Sequence, residues 1–461
     1  MSNRDYSMAF MDGGLGDKAK ARYRKRRKAL AKTVGMPYVI YGLDQGPGGG
    51  NPWDSHVPVI YQDPELLYLT GVNQLNTALL VDPITGADIL FLAPHDAKKE
   101  FWEGKQLGVG TKAIEKLSKE ITGFKDIRYI DDLNEAILEV LKASKKRSIG
   151  TFWHEATQGK KRVAQDSNYR FKKQLERLLA KERPSTKVVN IAPQAWDQRL
   201  VLDKEDIEDM REANHLTGYC FQDVLVAKKS LKTETDVAGY LNGQLQMRSP
   251  FGQSFPSIVA GGKNACVLHY TKNNDPLPKK GLLLLDFGLR WNHMHADISR
   301  TIPVSGIYSP LQRVLMDIVL KTQKAVQKAT KPGATLDSLN TLAWDTLNGL
   351  LEKKVLAKGG LAKLEYETAP HRIGHLIGYQ VHEGDPFRNY NDVALKPGMV
   401  ISNEPGLYGY FELTINRHRY KEWIGIRIED DLLITGRGCE NLSIDIPKTP
   451  DEIELLMAAL V

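Results

Sequence analysis

Hydrophobic positions in the second half of this chain fall into short runs that end in, or alternate with, acidic residues. Residues 281–286 read GLLLLD, an apolar run closed by a carboxylate. Such a run predicts a buried strand that delivers a charge at its end. From 295 to 304 the chain reads HADISRTIPV, where Asp297, Ser299 and Thr301 alternate with Ile298, Arg300 and Ile302. A period of two predicts a second strand, and a hairpin joining the two would set Asp286 and Asp297 side by side. In MVISNEPGLY, Val400, Ser402 and Glu404 share one strand face. In GIRIEDDLLIT, Arg427, Glu429 and Asp431 share one face of a further strand, with Ile426, Ile428 and Asp430 on the other.

The first half alternates helix-like and strand-like segments. Residues 18–34 (KAKARYRKRRKALAKTV) predict a basic helix and 36–41 a strand, followed by a Pro/Gly loop at 44–56. Short elements follow at 65–71 and 77–81, then a strand at 88–93. Helices are expected at 113–121, 133–141 and 160–182. This alternation predicts a mixed α/β domain spanning 1–195. A crossing segment at 190–210 leads into a helix that starts at Asp203 or Lys204 and runs through Ala213 and Thr217. The second domain then spans 196–461. Residues 1–17, Gly-rich and polar, read as a poorly ordered stretch or a docking arm.

Composition changes this picture little. With 461 residues, 42% hydrophobic and 26% charged, the chain suits two ordinary globular domains. Its net charge of +7 is modest for the size, and three widely spaced cysteines without a CxxC exclude a disulfide framework or a zinc finger. No apolar run approaches the ~18 residues of a membrane span, and the first residues lack the apolar core of a signal peptide. A cytoplasmic protein that binds neither membrane nor nucleic acid is expected. The run RYRKRRK from Arg22 to Lys28 reads as a solvated helix face. GPGGG at 46–50 lacks the Lys-Ser/Thr ending of a phosphate loop and reads as a turn. The clusters Trp53-Asp54-Ser55-His56 and Trp153-His154-Glu155 hold site-like residue types without a pattern that assigns them a role.

The chemistry concentrates in Asp286, Asp297, His375, Glu404 and Glu429. Carboxylates converging in a core repel one another and are costly to desolvate, and divalent ions remove that cost. Four oxygen donors and one imidazole can hold two hard or borderline ions, which together activate a shared water for hydrolysis. Histidines gather nearby. His371, His375 and His382 fall in APHRIGHLIGYQVHEGDP, and His269 closes SIVAGGKNACVLHY. Neutral imidazoles can ligate metal, donate to an oxyanion or move a proton near neutral pH. Gly374 and Gly378 allow close backbone approach there.

Five segments taken together carry a resemblance: PSIVAGGKNACVLHY, LLLDFGLRWNHMHADISRT, HRIGHLIGYQVHE, PGMVISNEPGLY and GIRIEDDLLIT. In this order they resemble the pita-bread metallopeptidases of the methionine aminopeptidase/prolidase superfamily, and within it Xaa-Pro aminopeptidase (aminopeptidase P) and prolidase. LLYLTGVNQLNTALLVD and KKEFWEGKQLG resemble the N-terminal domain of aminopeptidase P more loosely. The resemblance implies an α/β N-terminal domain followed by an α+β pita-bread catalytic domain. It implies two divalent ions per chain, manganese first with cobalt or zinc as alternatives, held by Asp286, Asp297, His375, Glu404 and Glu429. His269 and His382 would serve the scissile carbonyl and the tetrahedral intermediate. His371 would line the substrate pocket, Glu404 would also move the proton, and Tyr408 and Arg427 would stand beside the metals. The activity implied is release of the first residue from peptides with proline second, by a dimer or tetramer. The alternatives are an Xaa-Pro dipeptidase and a non-catalytic scaffold relative. Three positions depart from the family. Met294 replaces a usual Tyr, and Tyr379 replaces an aliphatic residue; both are expected to reshape the pocket wall. The arginine usual before Pro397-Gly398 is absent, with Arg388 placed earlier.

Overall fold

The structure is a computed structural model, and it describes residues 16–44, 62–153, 167–384 and 390–459. The stretch 1–15, the GPGGG turn, Trp53, Asp54, Ser55, His56, His154, Glu155 and Arg388 lie outside the described residues. The chain divides into two compact units, Met1–Arg199 and Leu200–Val461.

In the first unit the described residues form a six-stranded mixed sheet in the order β4-β3-β2-β1-β5-β6. Its strands are β1 Tyr38–Tyr41, β2 Ala78–Val81, β3 Asp88–Leu92, β4 Asp126–Tyr129, β5 Ser148–Thr151 and β6 Lys187–Asn190. β1, β2 and β3 pair antiparallel, and the remaining neighbours pair parallel. Val39, Leu80, Phe91 and Ile149 form one core with Ile137 and Leu141 of helix Leu133–Ser144 and Phe171 and Leu175 of helix Ser167–Glu182.

The basic helix, Asp17–Val34, corrects an expectation. Its arginines are not all solvated: Arg22, Arg26 and Arg27 are buried beside Tyr23 and Leu30. The Arg27 guanidinium donates two hydrogen bonds to Asp88, at 2.7 and 2.8 Å, and one to the Leu69 carbonyl, and it lies 4.0 Å from the Phe124 ring. Arg26 covers the Tyr68 ring at 4.4 Å. A buried guanidinium is tolerable because a carboxylate, a carbonyl and an aromatic face replace its water. Arg24, Lys25 and Lys28 remain exposed.

The second unit opens with helix Lys204–Ala227, whose N-cap is Asp203; its carboxylate accepts from the Asp206 N–H at 3.1 Å. The strands that follow are β7 Ile258–Gly261, β8 Leu282–Phe287, β9 Arg290–Trp291, β10 Met294–His295, β11 Ile298–Pro303, β12 Leu361–Leu364, β13 Leu376–Ile377, β14 Val400–Asn403, β15 Gly406–Ile415, β16 His418–Arg427, β17 Asp430–Ile434 and β18 Cys439–Asn441. They group as β11-β8-β7, β12-β15-β16 and β13-β14-β17-β18, with β9 and β10 as a separate ribbon. Helices Lys204–Ala227 and Pro310–Ala329 pack on them through a core that includes Phe221, Leu285, Ile302, Leu315, Val319, Phe411 and Ile426.

Two strand expectations sharpen here. β8 and β11 do run antiparallel, but their register pairs Asp286 with Ser299. Asp297, two residues before Ser299, is a diagonal neighbour on the same face, and the β9–β10 ribbon fills the connection between them. GIRIEDDLLIT is not one strand. It breaks at Ile428 and Glu429, so that β16 and β17 belong to different sheets. The freed amides find other acceptors: Ile428 N–H donates to the Pro405 carbonyl at 3.3 Å and Glu429 N–H to the Ser299 carbonyl at 3.1 Å. The break lets Glu429 reach β11 while its neighbours serve two sheets.

Candidate active site

A cavity of about 940 Å³ opens in the second unit. It is lined by His269, Asp286, Asp297, His371, His375, His382, Glu404, Arg427 and Glu429. The structure thus brings nine of the ten residues singled out from the sequence onto one surface. The tenth, Tyr408, is buried behind them, and its hydroxyl lies 3.1 Å from both His371 Nε2 and an Arg427 nitrogen.

Each carboxylate arrives by a separate piece of backbone. Asp286 lies near the end of the fully buried strand β8 and Asp297 immediately precedes β11. Glu404 follows β14, its N–H bound to the Ile373 carbonyl at 2.9 Å, and Glu429 sits in the β16–β17 break. Ligand atoms of Asp297, His375 and Glu429 all lie within 4.8 Å of one another, close enough to hold one metal ion. His375 Nε2 stands 3.4 Å from Asp297 and 3.7 Å from Glu404. Its Nδ1 faces the Leu376 carbonyl at 3.2 Å, which favours the proton there and makes Nε2 the atom offered to a metal ion.

Around these groups lies a supporting layer, of which the sequence motifs marked Arg427 and Tyr408 but not Asn214. Ser299 Oγ donates to Glu429 at 2.7 Å and accepts from Arg427 Nε at 2.8 Å. Arg427 also donates to Asp286 Oδ2 at 2.6 Å. The Asp431 carboxylate accepts the Asp297 N–H at 3.2 Å and is itself held by Asn214 at 2.9 Å. Ser402 Oγ accepts the His375 N–H at 3.0 Å and lies 3.4 Å from Glu404. The only sequence signal for Asp431 and Ser402 was a shared strand face with Glu429 and Glu404. Asn214 had none. Met294 and Tyr379, expected to reshape the pocket wall, are both buried and absent from the cavity lining; the Tyr379 ring stacks on His293, 5.1 Å between centroids.

The electrostatics show a surplus of buried negative charge. Burial pushes Asp286 up to about 6 despite the Arg427 guanidinium, with Asp297 adding to the rise. Glu429 is raised well above the usual carboxylate range by burial first, then by Asp297 and Glu404. Burial works against a proton on His375, but Asp297 and Glu404 outweigh it and lift the imidazole to about 9. His382, whose ring lies 4.2 Å from that of His375, is held down to about 4 by His375 and by burial. Asp286 Oδ1 is buried without a hydrogen-bond partner among the described residues. An orphaned carboxylate oxygen and acids clustered around an imidazole are what a cationic metal site leaves exposed when the cation is absent. The residues present fit divalent metal.

The model of metallopeptidase family M24 matches residues 208–436, and that of the aminopeptidase P N-terminal domain matches 23–149. Xaa-Pro aminopeptidase 1 of Streptomyces coelicolor is 32% identical over 414 residues, which cover 86% of this chain and 79% of that one. Xaa-Pro aminopeptidase of Escherichia coli is 28% identical over 461 residues, 96% and 99% of the two chains. The solved structure of proline aminopeptidase P II from Yersinia pestis matches with a TM-score of 0.77 at 27% identity, over 95% of this chain and 99% of that one. The chain belongs to metallopeptidase family M24. It carries the aminopeptidase P N-terminal domain ahead of the α+β pita-bread catalytic domain, as the sequence motifs implied.

Proposed function

We propose that this protein removes the first residue from peptides whose second residue is proline. It does so with two divalent ions held by Asp286, Asp297, His375, Glu404 and Glu429. The observation that carries the reading is the convergence of these five side chains on one cavity, where clustered buried carboxyls are raised by burial and by one another and divalent cations would relieve that strain. Named relatives that are Xaa-Pro aminopeptidases along most of this chain support the substrate class. The donor set, mostly carboxylate oxygen with one imidazole, suits manganese and also accepts cobalt or zinc. A homo-oligomer and a cytoplasmic location belong to the same proposal; no helix among the described residues is long and apolar enough to cross a membrane.

When bound, the ions supply Lewis-acid polarisation of the scissile carbonyl and a water acidified toward neutrality. The chain supplies the rest. Glu404 takes the nucleophile's proton and returns it to the leaving nitrogen. His382, held neutral, donates an N–H to the developing oxyanion, with His269 on the same cavity wall as its partner. Asp286 receives the substrate's cationic amine. His371, fixed by Tyr408 and by contact with the Arg372 carbonyl at 2.7 Å, walls the space for the proline ring. Proline lacks an N–H and fixes φ, so recognition has to come from the shape of that space.

Hydrolysis of a peptide such as Ala-Pro-Ala, followed with chelator and then with added manganese, tests the proposal. Release of free alanine that stops on chelation and returns with the ion supports it. Full activity in protein shown by elemental analysis to hold no metal refutes it.

A further inference from the structure

Arg372 follows His371 directly, yet the two side chains live in different surroundings. His371 turns inward, 17% exposed, 3.8 Å from Glu404. The Arg372 side chain is 52% exposed, and it too lines the cavity. Burial therefore falls along this wall from the reacting groups to the rim, and Arg372 stands at the mouth.

Among the described lining residues the arginines are Arg372 and Arg427, and no lysine is present. Arg427 is buried and already committed to Asp286, Ser299 and Tyr408. Arg372 gives one hydrogen bond, from Nη1 to Asp337 Oδ1 at 2.6 Å. Asp337 is half exposed, and ion pairs this open to water contribute little and exchange readily. Nε and Nη2 of Arg372 make no hydrogen bond among the described residues. A half-exposed guanidinium that lines a cavity with Nε and Nη2 unengaged is a receptor for a carboxylate.

An aminopeptidase buries the amino end of its substrate, so the rest of the peptide must leave through the mouth. Successive residues of an extended chain advance about 3.3–3.6 Å each. The residue after proline thus passes the rim one step beyond the wall formed by His371. We infer that Arg372 selects Xaa-Pro peptides bearing a carboxylate just after the proline, either the terminal carboxylate of a tripeptide or an acidic side chain of a longer one. The inference rests on the function proposed above and adds a specificity to it.

Four substrates separate the sources: Ala-Pro-Ala against its C-terminal amide, and Ala-Pro-Glu-Ala-amide against Ala-Pro-Gln-Ala-amide. The unmodified, metal-loaded protein should favour the carboxylate-bearing member of at least one pair by about tenfold in kcat/KM at low salt. Whichever pair shows the preference identifies the source. In Arg372→Gln the ratio should fall to within about twofold of unity. Arg372→Lys should keep part of it, because charge survives but the fork does not. Asp337→Asn should raise it by freeing the guanidinium. Each readout is a ratio within one protein, so a general loss of turnover cancels. Equal rates within both pairs in the unmodified protein overturn the inference while leaving the peptidase reading intact. A preference that survives Arg372→Gln overturns it too. Failure to cleave even the neutral amides refutes the proposed function, and this inference with it.

Discussion

At the scale of single residues, the proposed metal ligands differ from the groups that serve the transition state, and substitution should separate them. His375→Ala should lose metal, because Nε2 faces Asp297 and Glu404 directly. His382→Ala should keep close to two ions per chain and lose about 10²–10³ in kcat, the usual effect of removing an oxyanion donor. Elemental analysis beside steady-state kinetics decides it, and the reverse outcome would exchange the two roles. Asp297→Asn should also shed metal, since an amide is a neutral and weaker ligand; near-normal metal and turnover would remove Asp297 from the site. The ligands were legible because each stands in its own short patterned stretch, whereas the role of His382 was legible only through the resemblance of HRIGHLIGYQVHE to the family motif. Of the layer behind the ligands, only Arg427 and Tyr408 were legible. Asn214 holds Asp431 from 217 positions away, and nothing local marks an asparagine in a helix as support for a carboxylate.

At the scale of elements, the close approach of His375 to its neighbours depends on Gly374. A Cβ there would lie 2.1 Å from the Ser402 carbonyl oxygen, so the backbones that carry His375 and Glu404 would have to part. Gly374→Ala should destabilise the protein by about 1–3 kcal/mol and lower its metal content. Unchanged melting temperature and two bound ions would show that the two segments can move apart freely. The β16–β17 break has a second consequence. It places Asp430 in a fully buried cluster where Arg300 donates at 2.8 Å and Lys448 also pairs. Burial opposes its charge, but Arg300 and Lys448 win and hold the carboxyl below its usual range. A carboxyl that ionises more readily when folded stabilises the fold above the unfolded value of about pH 4, and that contribution is lost as the pH falls further. Asp430→Asn should therefore cost about 3–5 kcal/mol at pH 7 and less at pH 3, measured by denaturant unfolding; an equal loss at both would show that the charge is immaterial. Pattern predicted these strands well: the apolar run became β8, and the alternating stretches became β11 and β14. It could not show the break, because the period of two continues through Ile428 and Glu429. Nor could it show that Arg27 would be buried, as its partner Asp88 lies 61 residues on.

At the scale of the whole molecule, the clustered acids make folding and metal binding one equilibrium. A ligand that binds only the folded state stabilises it by about 2.7 kcal/mol at a hundredfold excess over Kd, so chelation should lower the melting temperature as well as stop catalysis. A chelated protein that melts at the same temperature would mean that the acids are tolerated without cations. Substrate length is set at this scale too. If Arg372 reads the residue after proline, a dipeptide has nothing to offer it, so an Xaa-Pro-Xaa tripeptide should be cleaved at least as well as the matching Xaa-Pro dipeptide. A dipeptide advantage above about tenfold in kcat/KM, or about 1.4 kcal/mol, would make the enzyme a dipeptidase. The spacing of the five proposed ligands along the chain also has a consequence in time. They run from Asp286 to Glu429, so during synthesis the ligands emerge one after another, and Glu429 follows Asp286 by 143 residues. No nascent chain that stops before Glu429 can hold the full site. Peptide cleavage can begin only after Glu429 has been made, and a ribosome that stops before it releases a protein unable to act on its neighbours' termini.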